Sequence, residues 1–216
     1  MNIQVAHDFV GEHPEDGWFA APDSPFACVV DGCSEPHFSP TVPPFLYPGG
    51  FTGGQMISRT IRDVFSVALP EQSLEEIVLS ANEKVWDFQE RYRGSMVDRK
   101  DASTLANASF SCVKFDFLRD QIRIIWGADV FTLWQTKSGE IGIIGGDSAK
   151  EDMEREKAYH DLVAKAGENK SDQQRAREEY FLRVFPEFKR KQDNVKCAVL
   201  NGQPEVQHLW HIYTIS

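Results

Sequence analysis

The sequence predicts an α+β fold, a four-layer α-β-β-α sandwich of two antiparallel sheets with a helix pair outside each. Three observations predict it. The first third carries short runs rich in β-branched and aromatic residues, two helical periodicities then follow without a strand between them, and four further strand-like runs precede a charge-rich helical block. Strands and helices segregated in this way favour stacked α+β layers over the regular alternation of a parallel sheet. The 216 residues, 41% hydrophobic and 26% charged, are enough to bury a core without disulfides and read as one domain over 1–216.

Ile3 to Val10, Trp18 to Ala21 and Phe26 to Val30 read as strands, with Asp31-Gly32 ending the third. A loop dense in Pro and Gly follows from Pro36 to Gly54. Ile57, Ile61, Val64, Phe65 and Ala68 recur at helical spacing until Pro70, after Gly53-Gly54 has opened the helix. Ser73-Leu-Glu-Glu76 is a capping-box pattern, and Leu74, Ile77, Val78, Ala81 and Val85 form one apolar face of a helix reaching about Arg91. Ser103 to Phe115, Gln121 to Trp126, Val130 to Trp134 and Glu140 to Ile144 form an antiparallel meander with turns near Asp120 and Gly139.

Between Lys150 and Asp193, 22 of 44 residues are charged, 11 of each sign, which reads as solvated helices with paired charges. One helix is expected from Ala149 to Ala166, and a second from the capping-box pattern Ser171-Asp-Gln-Gln174 to Pro186. A final strand-like run, Lys196 to Leu200, leads through Asn201-Gly202 to Val206–Ile215.

Composition narrows the function classes. The formal net charge of -10 argues against a nucleic-acid or anionic-membrane partner, and the absence of a long apolar run or a basic, apolar leader points to a cytoplasmic protein. Cys28, Cys33, Cys112 and Cys197 lack zinc-site or disulfide-scaffold spacing and read as reduced thiols. The first 58 residues contain no Lys or Arg but seven carboxylates, among them Glu15, Asp16 and Asp31. Carboxylates gathered at the ends of neighbouring strands repel one another and favour a hard divalent cation, Mg²⁺ or Mn²⁺, over a soft one.

Phe26-Ala-Cys-Val-Val-Asp-Gly32 resembles the apolar strand and Asp-Gly of the PP2C (PPM) family of metal-dependent serine/threonine protein phosphatases. Pro14-Glu15-Asp16 is similar to the family's upstream Glu-Asp element, and Gly53-Gly54 before an amphipathic helix to its Gly-Gly. Ala102-Ser103-Thr104 resembles its Gly-Ser-Thr entry into a core strand, and Ile122 to Trp134 around Gly127-Ala-Asp129 its strand, Gly-Asp-Ser turn and strand. The likeness spans roughly residues 5–147 and fades through the charged segment 148–193.

The resemblance implies a PP2C-like sandwich whose two metals activate a water to hydrolyse phosphoserine or phosphothreonine without a phosphoenzyme. It would make Asp31 and Asp16 catalytic, with Asp31, the Gly32 carbonyl, Asp16, Glu15 and Asp129 as metal-binding groups. The implied partner is a phosphoprotein substrate, or a regulatory protein if the domain is a pseudophosphatase acting as a binding module. The departures bear on that choice. No basic residue precedes Glu15-Asp16, Cys33 stands where many members have His, and Ala128 with Asp129 stands where the family has Gly-Asp-Ser. No later Asp-Gly element precedes Ser216, so the chain is expected to be short relative to the family at its C-terminal part. An amidohydrolase with an N-terminal nucleophile is the remaining layered alternative, and it needs cleavage before Cys33 or Ser103.

Overall fold

The computed structural model describes residues 15–34, 45–146 and 148–216. The strand expected over Ile3–Val10 and the loop residues 36–44 lie outside them. Strands β1 (Gly17–Ala20), β2 (Phe26–Cys33), β3 (Asn107–Asp116), β4 (Gln121–Gly127) and β7 (His211–Ile215) form an antiparallel sheet in the order β1-β2-β3-β4-β7. Strands β5 (Phe131–Gln135) and β6 (Ile141–Gly145) pair as a second, two-stranded sheet. The α+β class therefore stands, with sheets of unequal size.

Alternation along β2 and β3 decides what each face meets. Phe26, Cys28, Val30, Ala108, Phe110 and Cys112 are buried in one core with Ile57, Ile61 and Phe65 of α1 (Gly53–Ser66) and Leu74, Ile77, Val78, Ala81 and Val85 of α2 (Leu74–Arg93). The helix hairpin thus covers one face, through the residues whose 3.6-residue spacing predicts it. On the other face the Ser111 and Thr132 hydroxyls meet at 2.5 Å, which brings the second sheet against the first. The capping box of α2 is present: Ser73 Oγ accepts from the Glu76 N–H and the Glu76 carboxylate accepts from the Ser73 N–H. Such a cap is worth about 1 kcal/mol. No helix among the described residues is long and apolar enough to cross a membrane.

Several boundaries differ from the sequence reading, each for a physical reason. β2 runs on through Asp31 and Gly32 to Cys33, because Asp31, Gly32 and Cys33 stay paired with Ser109, Ala108 and Asn107. Residues 102–104 form a 3-10 turn capped by Asp101, and β3 starts only at Asn107. α3 spans Ala149–Lys165, while α4 (Lys170–Glu179) is capped by Asn169, whose side chain accepts from the Ser171 and Asp172 N–H groups, so Ser171 is not the cap. Pro186 does not stop the chain: a π-helical turn at Tyr180–Val184 leads into α5 (Phe185–Gln192), where Pro186 sits in the first turn and needs no N–H partner. Lys196–Leu200 is no regular strand, although Leu200 and Ala108 exchange both backbone hydrogen bonds.

Candidate functional site

β2 carries Asp31 and Gly32 to the end of the large sheet, where the N-terminus of α1 arrives. The approach is close enough that only glycine fits. A Cβ on Gly32 would stand 2.4 Å from the Gly54 carbonyl oxygen and 2.6 Å from that of Glu15, and one on Gly54 would stand 2.4 Å from Glu15 Oε2. The two glycines let a helix N-terminus, a strand and the Glu15 backbone meet at one point.

Glu15 is the brace of that junction. Its carboxylate accepts from the Ser34 N–H (3.0 Å), from the Ser34 hydroxyl (2.5 Å) and from the Thr52 hydroxyl. The Glu15 carbonyl accepts from Ser58 Oγ at 2.5 Å. Thr52 is also the N-cap of α1, its oxygen accepting from the Gln55 N–H, and Ser34 Oγ accepts from the Gly54 N–H at 3.2 Å. With three donors on it, the Glu15 carboxylate has little capacity left for a further direct partner.

Asp31 points away from the helix hairpin and opens onto a cavity of about 270 Å³ that also takes in Asp129, Asp152, Arg155, Lys189 and Asp193. Burial and the shared proton toward Asp16, with the nearby charges of Asp129, Asp16 and Glu15, push the Asp31 carboxyl up to about 7. Asp129 follows Ala128, whose backbone is left-handed at φ 62°, and its Oδ1 is buried without a hydrogen-bond donor among the described residues. Cys33 also lines the cavity, but burial pushes its thiol up to about 11, the wrong direction for a nucleophile at neutral pH.

The far wall comes from the charged helices. Lys189 is 1% exposed, donates to the Leu105 carbonyl at 2.7 Å and stands 3.5 Å from Asp193 Oδ2, which also accepts from Asn107 Nδ2 at 2.6 Å. Burial raises the Asp193 carboxyl, with Lys189 and Asn107 opposing the rise. Arg155 pairs with Asp152, and Asp152 accepts from Ser148 Oγ at 2.8 Å. Both cations of the cavity are thus tied to wall carboxylates.

The candidate residues therefore divide. Asp31 comes within electrostatic reach of both Asp16 and Asp129, Gly32 is the glycine of the close approach, and Glu15 holds the frame. No group of three or more His, Cys, Asp and Glu side chains among the described residues is arranged ready to hold one ion. Asp193, Lys189 and Arg155 were not singled out from sequence, because each sits in the block whose balanced charges read as solvated. The one available signal was Asp193-Asn194 just ahead of the apolar run at Cys197–Leu200.

A second depression, about 520 Å³, adjoins Asp16 on the opposite side and runs along β1, lined by Trp18, Phe51, Gln55, Arg59 and Arg62.

No family model matches the chain. No curated protein matches it either. Among solved structures, the crystal structure of serine/threonine phosphatase Stp1 from Staphylococcus aureus aligns over 98% of this chain and 75% of its own, at 12% identity and a TM-score of 0.42. An overlap this loose assigns neither activity nor residue roles.

Proposed function

We propose that the cavity below Asp31 is a divalent-cation site for hydrolysing phosphomonoesters, with phosphoserine or phosphothreonine of a protein as substrate. The observation that carries this reading is Asp31 on the cavity wall, hydrogen-bonded to Asp16 and within electrostatic reach of Asp129, whose buried Oδ1 is left without a donor among the described residues. Such a set is repulsive unless it holds a proton or a cation, and its oxygens suit Mg²⁺ or Mn²⁺. A small hard cation such as Mg²⁺ keeps several waters and needs only one or two protein carboxylates.

Asp31 and Asp16 would hold the ion, with Asp129 adding negative charge from the cavity wall and the Gly32 backbone able to approach because no Cβ intervenes. When bound, the cation supplies a water of lowered pKa and charge neutralisation for the phosphoryl oxygens. The chain's own residues supply the rest: Asp31 and Asp16 orient the attacking water, and Glu15 with Thr52 and Ser34 fixes the strand and helix ends between which it is held. In-line phosphoryl transfer depends mainly on such positioning. The order of the Glu15-Asp16, Asp31-Gly32, Gly53-Gly54 and Asp129 elements along the sequence supports the same reading.

A second reading has one observation in its favour. Lys189 and Arg155 already pair with Asp193 and Asp152 inside the cavity, which leaves fewer carboxylates for a second ion and suits a pseudophosphatase that binds rather than turns over. Calorimetric titration with Mn²⁺ decides between these. One ion per chain, lost in Asp31→Ala, with measurable phosphate release supports the enzyme, and one ion without phosphate release supports the module. Binding indifferent to Asp31→Ala contradicts both.

A further inference from the structure

β1 is an edge of the large sheet among the described residues, since its neighbour in the strand order is β2 alone. The depression of about 520 Å³ runs along this edge from Asp16 to Ala20, with α1 as its opposite wall. Gln55, Ser58, Arg59 and Arg62 of α1 line it at the spacing that places residues on one helix face. Trp18 is 38% exposed there, and the Arg59 guanidinium lies 3.9 Å over the Phe51 ring.

No Lys or Arg precedes Arg59 in the sequence, and Arg62 is the next cation. The first two cations of an acidic chain therefore stand in the same groove, which Asp16 also lines. Arg62 forks onto Asp63, at 3.1 Å and 2.8 Å. Arg59 makes no ion pair or hydrogen bond with a described residue: its guanidinium carbon lies over the Phe51 ring, and the side chain lines the groove. A guanidinium held by stacking is well disposed to take a carboxylate side-on.

We infer that an extended substrate chain lies in this groove beside β1, and that Arg59 and Arg62 select substrates with acidic residues near the phosphorylated one. This rests on the phosphatase reading above. Side chains along the groove set the preference of such a chain. At 1.5 Å per helical residue, Arg59 and Arg62 stand about 8 and 12 Å along α1 from Gly54 at the acidic junction. An extended chain advances roughly 3.3 Å per residue, so the selected acids are roughly two to four positions from the phosphorylated residue. A protein with a net charge of -10 otherwise repels acidic peptides, so the preference depends on these two side chains.

The test uses phosphothreonine peptides that differ only in carrying Glu or Lys two to four positions to either side of the phosphothreonine. Wild-type kcat/KM is expected to favour the Glu peptide by about tenfold, since two exposed charge contacts act together. Arg59→Glu/Arg62→Glu should reverse the order, which loss of a merely structural contact does not do, and Arg59→Gln should give an intermediate ratio. The same peptides are titrated onto Asp31→Asn by fluorescence anisotropy. A preference in binding with no hydrolysis by the wild type sinks the phosphatase reading and keeps the groove. Hydrolysis with equal kcat/KM for both peptides, or a preference that survives charge reversal, overturns the groove.

Discussion

Asp31 keeps its proton to about pH 7 because it is buried beside Asp16, Asp129 and Glu15, whereas in the unfolded chain it gives that proton up near 3.8. Between those values the unfolded state loses its proton first, so the stability of the cation-free protein falls as pH rises from about 4 to about 7 and levels off above. Asp31→Asn removes that slope, and urea midpoints measured at several pH values without added cation check it. In the wild type, added Mn²⁺ is expected to raise the midpoint most at neutral pH, where the carboxylate is otherwise unpaired. Gly32→Ala is the steric counterpart: its Cβ meets the Gly54 carbonyl oxygen at 2.4 Å, and a loss of roughly 1–3 kcal/mol is expected from the same melts. Asp31-Gly32 stands out in sequence as an acid and a glycine in line with an apolar strand, and Asp16 as an acid just ahead of one. The bracing role of Glu15 does not stand out, because its partners Ser34 and Thr52 are 19 and 37 residues away.

The N-terminus of α1 is the element on which the site hangs. Thr52 both caps the helix and bonds Glu15, so Thr52→Ala should cost about 1–2 kcal/mol and weaken Mn²⁺ binding, whereas an ordinary cap loss lowers stability alone. α5 supplies the opposite wall through Lys189. Removing that ammonium in Lys189→Ala leaves Asp193 buried and unpaired, and a loss of about 3–5 kcal/mol is expected in denaturant melts. Lys189→Ala/Asp193→Asn should recover part of it. The helices themselves were readable from apolar spacing and caps, and β2 to β6 from short apolar runs. The segment after α5 was misread as a strand because Cys197–Leu200 is apolar. Its backbone is instead held by buried amides: Asn194 accepts from the Val199 N–H, Gln89 donates to the Asn201 carbonyl and Asn82 to that of Gln203. Bonds reaching 112 and 121 residues along the chain leave no local pattern to read.

At the scale of the whole molecule, an acidic chain brings Glu15, Asp16 and Asp129 near Asp31 and places its first two cations in a groove that Asp16 lines. The helix hairpin packs on one face of the large sheet, the smaller sheet lies on the opposite face, and the charged helices close one side of the cavity. In the function proposed above, this junction serves cation-dependent phosphoester hydrolysis. Phosphate release from a phosphothreonine peptide, followed across a Mn²⁺ titration with wild type and Asp31→Asn side by side, tests it most directly. Release that rises and saturates with Mn²⁺ in the wild type, and is absent from folded Asp31→Asn, is the predicted result. Release independent of Mn²⁺, or equal in the two proteins, would contradict it.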